Sequence, residues 1–156
     1  MAKITFTGID EYFAQLSNLG DKAEGLCKRA LYDGAGVVAN EVRSEIQGLP
    51  TTDKNGDPQQ PFEYEVDGLL SGLGIAKMKD QDGRFSTRVD FDGYNRMKSQ
   101  KYPNGKPNAM VARAINSGTS RRPKNPFMTR AVKRAREKAE KAMAARMDAD
   151  INDIMK

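Results

Sequence analysis

The chain has 156 residues, of which 38% are hydrophobic and 30% charged, with a formal net charge of +5. This length allows one domain with one core. With no histidine and a single cysteine, Cys27, histidine-based catalysis, the usual zinc sites and an internal disulfide framework are excluded. No apolar stretch approaches the roughly 20 residues of a membrane span, and MAKITFTG lacks a leader's apolar segment, so we expect a cytoplasmic protein with no membrane partner.

The positive charge belongs to one part of the chain. Residues 1–92 hold 10 basic and 16 acidic side chains, whereas residues 93–146 hold 15 basic and only 2 acidic ones. Opposite charges on two halves of one chain favour head-to-tail contacts between subunits. A basic segment is also typical of a protein that binds nucleic acid.

The first half of the chain predicts one long core helix. KITFT is read as a short strand and Asp10 as the cap of a small helix. From about Asp21 to Gly48, apolar residues recur every three or four positions, which predicts a buried helix face. Gly34 and Gly36 within it are interpreted as points of close backbone packing. The apolar positions are Cys27, Leu31, Ala35, Val38, Val42 and Ile46.

A polar loop and a hairpin follow. Residues 50–61 are rich in turn formers and predict a mobile loop. Asp53, Asn55 and Asp57 are interpreted there as a solvated turn, because the spacing does not fit a calcium loop. Alternating residues around Asp82-Gly83 then predict two antiparallel strands over 75–92, preceded by a short apolar turn at DGLLSG.

Residues 93–108 combine four basic side chains and two tyrosines with no acid. Two interpretations stay open: a mobile insertion, or a surface on which bases stack. Ala109–Asn116 is expected to form a short amphipathic turn or strand, and Asn125 to cap a final helix with Pro126 in its first turn. The apolar stripe of that helix is Met128, Val132, Ala135, Ala139, Met143, Met147, Ile151 and Ile154.

The stretches PNAMVARAINSGTSRRPKNPFMTRAV and DGLLSGLGIAKMKD, in this order, resemble the neck and tail-completion protein family of long-tailed bacteriophages. The resemblance runs from Leu26 to about Met143. It departs from the family at Asn116-Ser117, where an acid is common, and at Thr129-Arg130, where proline is common.

The resemblance implies a single α+β domain over 1–156, with a small curved antiparallel sheet packed against a long central helix and a C-terminal helix. It also implies a structural virion protein without catalytic residues, cofactor or metal. Its partners would be copies of itself in a ring, neighbouring neck and tail proteins, and DNA passing through the channel. Its location would be the virion neck or tail, after assembly in the host cytoplasm.

The joint before the last helix is the candidate site. Gly118 permits a positive φ at the turn, while the prolines stiffen the linker so that it loses less entropy when a partner orders it. Phe127 is expected to anchor the helix in the core. The turn and helix-anchor motif is Gly118, Thr119, Pro123, Pro126 and Phe127, and the expected partner or DNA contacts are Arg121, Arg122 and Lys124.

Two other functions are alternatives to assembly. A nucleic-acid-binding module would use the basic segment 93–146. An enzyme would have to rely on acidic pairs, Asp80 with Asp82 or Asp90 with Asp92, which a hairpin with exposed carboxylates explains without chemistry. We therefore expect no enzyme and favour assembly.

Overall fold

The structure is a computed structural model that describes residues 22–53 and 55–155. The strand and small helix predicted before residue 21 lie outside this range. The described elements confirm an α+β fold. In chain order they are α1 (Lys22–Gln47), α2 (Glu63–Gly72), β1 (Leu73–Ile75), β2 (Lys79–Gln81), β3 (Arg84–Ser86), β4 (Val89–Phe91), α3 (Asn108–Ser117) and α4 (Phe127–Met155).

Helix α1 matches the predicted core helix. Its six predicted apolar positions are all buried, and Ile46 and Cys27 are completely so. Gly34 is buried as well. The close-packing interpretation is wrong for Gly36, where an added Cβ would meet no atom within 4 Å.

Helix α4 packs antiparallel along α1. The predicted stripe is confirmed: Met128, Ala135, Ala139, Met143 and Met147 are buried, while the remaining members of the stripe are partly buried against the core. Small side chains along this face let the two helix backbones approach closely.

A row of ion pairs joins α1 to α4 along one edge. As the acidic or basic position advances along α1, its partner on α4 lies correspondingly further back in the sequence. The row of pairs therefore favours one antiparallel register of the two helices. Asp33, Glu41 and Glu45 of the acidic half are thus paired with basic residues of the same chain, and these three carboxylates are not free for contacts between subunits. The pairs are Arg29–Asp150 (2.8 Å), Asp33–Arg146 (3.7 Å), Glu41–Lys138 (2.5 Å), Glu45–Arg134 (2.6 Å) and Glu45–Arg130 (3.0 Å).

The predicted hairpin forms, but its ladder of backbone hydrogen bonds is divided into two short sheets. Strand β1 pairs with β4 and β2 with β3, both antiparallel, giving two two-stranded sheets. Asp82 and Gly83 both have positive φ (55° and 80°), the backbone of a tight hairpin turn. Between the two sheets, the Thr87 hydroxyl donates to the Ala76 carbonyl (2.6 Å). This side-chain hydrogen bond links the two arms of the hairpin at the point where the sheets separate.

Two segments differ from expectation because short apolar runs do not distinguish a turn or strand from a helix. The apolar turn predicted at DGLLSG is part of helix α2, and the turn or strand predicted at Ala109–Asn116 is helix α3. Glu65 helps α2 to begin, since its carboxylate accepts a hydrogen bond from the Phe62 N–H (2.9 Å).

The buried apolar residues form two clusters along the α1–α4 pair. The larger one contains Phe127 and Ile46 together with residues of every other helix and the hairpin. The smaller one surrounds Cys27 and Met147 at the opposite ends of these two helices. Among the described helices, none has the length and apolar character to cross a membrane.

Candidate partner interface at the basic linker

The linker between α3 and α4, residues 118–126, is stabilised by hydrogen bonds among its own residues. Gly118 has φ 77°, as predicted, and a Cβ at this position would lie 2.8 Å from the Lys124 nitrogen. The Thr119 hydroxyl oxygen accepts hydrogen bonds from the N–H groups of Arg121 and Arg122 (both 3.2 Å). The Thr119 N–H in turn donates to the Arg122 carbonyl (2.9 Å). Hydrogen bonds within the chain therefore hold the turn in this conformation.

Arg122 points inward, and the expectation that it projects from the linker is wrong. Its guanidinium donates to Glu65 Oε2 (2.8 Å), and the two side chains are only 15% and 5% exposed. It also lies over the Phe62 ring, 5.7 Å from the centroid. The same Glu65 oxygen accepts from the Phe62 N–H. Arg122 thus fastens the linker to the first turn of α2.

Arg121 and Lys124 are exposed, as expected. Within the described part of the chain, neither has a carboxylate within ion-pair distance. Pro123 is exposed beside them, and Pro126 precedes α4, where its carbonyl accepts the N–H of Arg130 (3.0 Å). Two cations thus lie on a surface loop that hydrogen bonds within the chain hold in place.

The start of α4 is capped by a residue from another helix. The Met128 N–H donates to Asn116 Oδ1 (3.1 Å), whereas Asn125 Oδ1 accepts from the Arg130 guanidinium (2.7 Å). The prediction that Asn125 caps this helix is wrong. Phe127 has no exposed surface and anchors the helix in the larger cluster, as expected.

A cleft of about 250 Å³ lies between the linker and residues 50–61. Pro50, Pro61 and Pro123 contribute to its wall, and Lys124 and Arg130 contribute cations. This combination suits a side chain of a partner that is apolar or carries a carboxylate.

One member of each acidic pair suggested for catalysis makes a contact within the hairpin, and the acids of the loop 50–61 support turns. Asp80 Oδ1 accepts the Gly83 N–H in the hairpin turn (3.0 Å), and Asp90 pairs with Arg88 (3.1 Å). Asp53 and Asp57 each accept a backbone N–H two residues ahead, at Asn55 and Gln59 (both 2.9 Å). No group of three potential metal ligands occurs among the described residues.

Two pKa shifts reflect burial. Burial raises the pKa of the Cys27 thiol, which disfavours the reactive thiolate. Burial also raises the pKa of Tyr64 beside the linker, with the Glu65 carboxylate adding to the shift and Arg122 opposing it.

Sequence reasoning missed Glu65 and Asn116, although both position the linker. An acid three residues after Phe62, the residue that precedes α2, is a weak capping signal for Glu65. Nothing local marks Asn116, because its partner belongs to α4. Comparison with protein-family models, curated proteins and solved structures finds no match to the chain.

Proposed function

We propose that the chain is a structural subunit of the neck or tail of a long-tailed bacteriophage, forming part of a ring that joins the DNA-filled head to the tail. The family resemblance of the linker and hairpin motifs supports this, as does the α+β fold with a long helix packed on a C-terminal helix. Its partners are further copies of the chain and neighbouring neck and tail proteins. Its place is the virion.

One observation carries the proposal: hydrogen bonds within the chain hold the linker, which still displays Arg121 and Lys124 without carboxylate partners in the described chain. A preorganised loop loses little conformational entropy on binding. Exposed cations on such a loop can pair with carboxylates of a neighbouring subunit, which adds specificity to the contact.

The test reverses both charges, Arg121→Glu with Lys124→Glu, and leaves Arg122 in place because its pair with Glu65 supports the fold. In a phage that carries this gene, the variant should give DNA-filled heads without tails, seen by electron microscopy of the lysate. The matched control is Lys77→Glu with Lys79→Glu, which reverses two exposed lysines of the hairpin. Normal tailed particles from the linker variant would contradict the proposal.

Nucleic-acid binding by segment 93–146 is the second candidate. Exposed cations without a carboxylate partner among the described residues favour it, and Lys98, Lys101 and Arg113 are examples. The linker variant should then bind duplex DNA more weakly, with a log-log salt slope about two units smaller, since two phosphate contacts are lost. An unchanged slope would count against this function and leave the assembly proposal intact.

A further inference from the structure

The loop 93–108 forms a platform whose base is held by hydrogen bonds. Asn95 is 4% exposed, and its Oδ1 accepts hydrogen bonds from the N–H groups of Met97 and Lys106 (both 3.2 Å). The Asn95 N–H donates to the Lys106 carbonyl (2.9 Å). Gly105, at φ 96°, packs so closely that a Cβ would lie 1.9 Å from the Asn95 carbonyl oxygen. The base of the loop therefore has a fixed shape.

This platform displays apolar side chains to solvent. Tyr94, Met97 and Met110 are 59%, 40% and 43% exposed. The Tyr102 hydroxyl donates to the Met110 sulfur (3.5 Å) and so ties the loop to α3. Lys98 and Lys101 of the same loop and Arg113 of α3 are exposed as well. We define the basic face as Tyr94, Met97, Met110, Lys98, Lys101 and Arg113.

An apolar centre with a charged rim is the anatomy of a protein interface. A surface for single-stranded nucleic acid needs open aromatic rings on which bases stack. Tyr102 is half-buried, and the amines of Lys101 and Lys106 lie 5.7 Å and 6.0 Å from its ring centroid. Only Tyr94 offers an open ring within the loop, so the geometry favours a protein partner.

A surface of opposite charge lies at the start of α2. The rings of Phe62 and Tyr64 stack with centroids 5.3 Å apart, and both are half-buried. Glu63 between them is exposed, as are Asp53 and Asp57 in the preceding loop. These carboxylates have no ion pair with another described residue. We define the acidic face as Phe62, Tyr64, Glu63, Asp53 and Asp57.

We propose that the basic face of one copy docks on the acidic face of a second copy. Each face has an aromatic or thioether centre and a rim of charged side chains that form no ion pair with another described residue, and the two rims have opposite sign. A contact in which each subunit gives its basic face to one neighbour and its acidic face to another is heterologous, and it closes into a ring when the rotation between neighbours permits. The inference rests on the proposed function, to which it adds the surfaces that the copies use.

The test uses two double variants of the full chain. The basic-face variant is Lys98→Glu with Lys101→Glu, and the acidic-face variant is Asp57→Lys with Glu63→Lys; all four residues are exposed. By sedimentation velocity over a range of concentrations, each variant alone should self-associate at least about tenfold more weakly than the wild type, because like charges then face each other. Lys77→Glu with Lys79→Glu should associate as the wild type does.

An equimolar mixture of the two variants decides the question. Each variant keeps one intact face, so the mixture should recover association that neither variant has alone, which also shows that both are folded. Failure to recover, unchanged association of the single variants, or a wild type that stays monomeric throughout would overturn the inference. So would loss of oligonucleotide binding by the basic-face variant with unchanged association. The particle phenotype of the linker variant tests the proposed function separately.

Discussion

Arg122 and Glu65 should be coupled far more strongly than an ordinary surface pair. The perturbation is Arg122→Met, which keeps the length of the side chain and removes the charge, combined with Glu65→Gln, which keeps an oxygen for the Phe62 N–H. Both single variants and the double variant are compared with the wild type. The difference from additivity isolates the interaction between these two side chains.

The expected size follows from the burial of the pair. Breaking a buried ion pair costs about 3–5 kcal/mol, because the remaining charge is left without a partner. Glu65 is 5% exposed, but Arg122 is 15% exposed and Glu65 retains the Phe62 N–H as a partner. We therefore expect about 3 kcal/mol for Arg122→Met and a coupling of about 2 kcal/mol. At about 2–4 °C per kcal/mol, the single change lowers Tm by roughly 6–12 °C.

The assay is urea unfolding followed by circular dichroism, with the free energy of unfolding extrapolated to water. The control is the exposed pair Arg136–Glu140, whose side chains are 80% and 58% exposed, changed to Met and Gln in the same way. Its coupling should stay within about 0.5 kcal/mol. A coupling of that size for Arg122 and Glu65 would refute the view that this pair fastens the linker to α2.

Three further predictions concern the fold. Val38→Asp buries a charge at a position that is 2% exposed, so it should lower the free energy of unfolding by more than about 3 kcal/mol; an unchanged thermal midpoint would mean that α1 is wrongly placed. Residues 50–61 should be the first site of limited proteolysis, because they bury little apolar surface; early cleavage within α1 would contradict this. Cys27 should react with a thiol reagent at pH 8 only as the protein unfolds, since burial raises its pKa and keeps the thiol protonated; rapid, stoichiometric labelling of the native protein would show an open thiol.

Local sequence patterns are sufficient to predict the two long helices and the hairpin. The three-to-four-residue spacing of apolar side chains is enough to identify α1 and the stripe of α4, because a helix turns every 3.6 residues and one face must be buried. Asp82-Gly83 indicates the hairpin because both residues tolerate the positive φ that its turn requires. Gly118 was identified on similar local grounds.

The candidate site depended on tertiary structure. The sequence shows that the linker contains three cationic residues. Only the tertiary structure shows that Arg122 points inward and binds Glu65, which is distant in the sequence. The tertiary packing also pairs basic side chains of α4, such as Arg134, with acidic side chains of α1, such as Glu45. It likewise places Asn116 of α3 where its side chain caps the start of α4. Backbone preferences and apolar periodicity depend on residues that are close in the sequence, so the sequence alone predicts them. The partner of a charged side chain or of an unpaired N–H group depends on which distant elements the fold brings into contact.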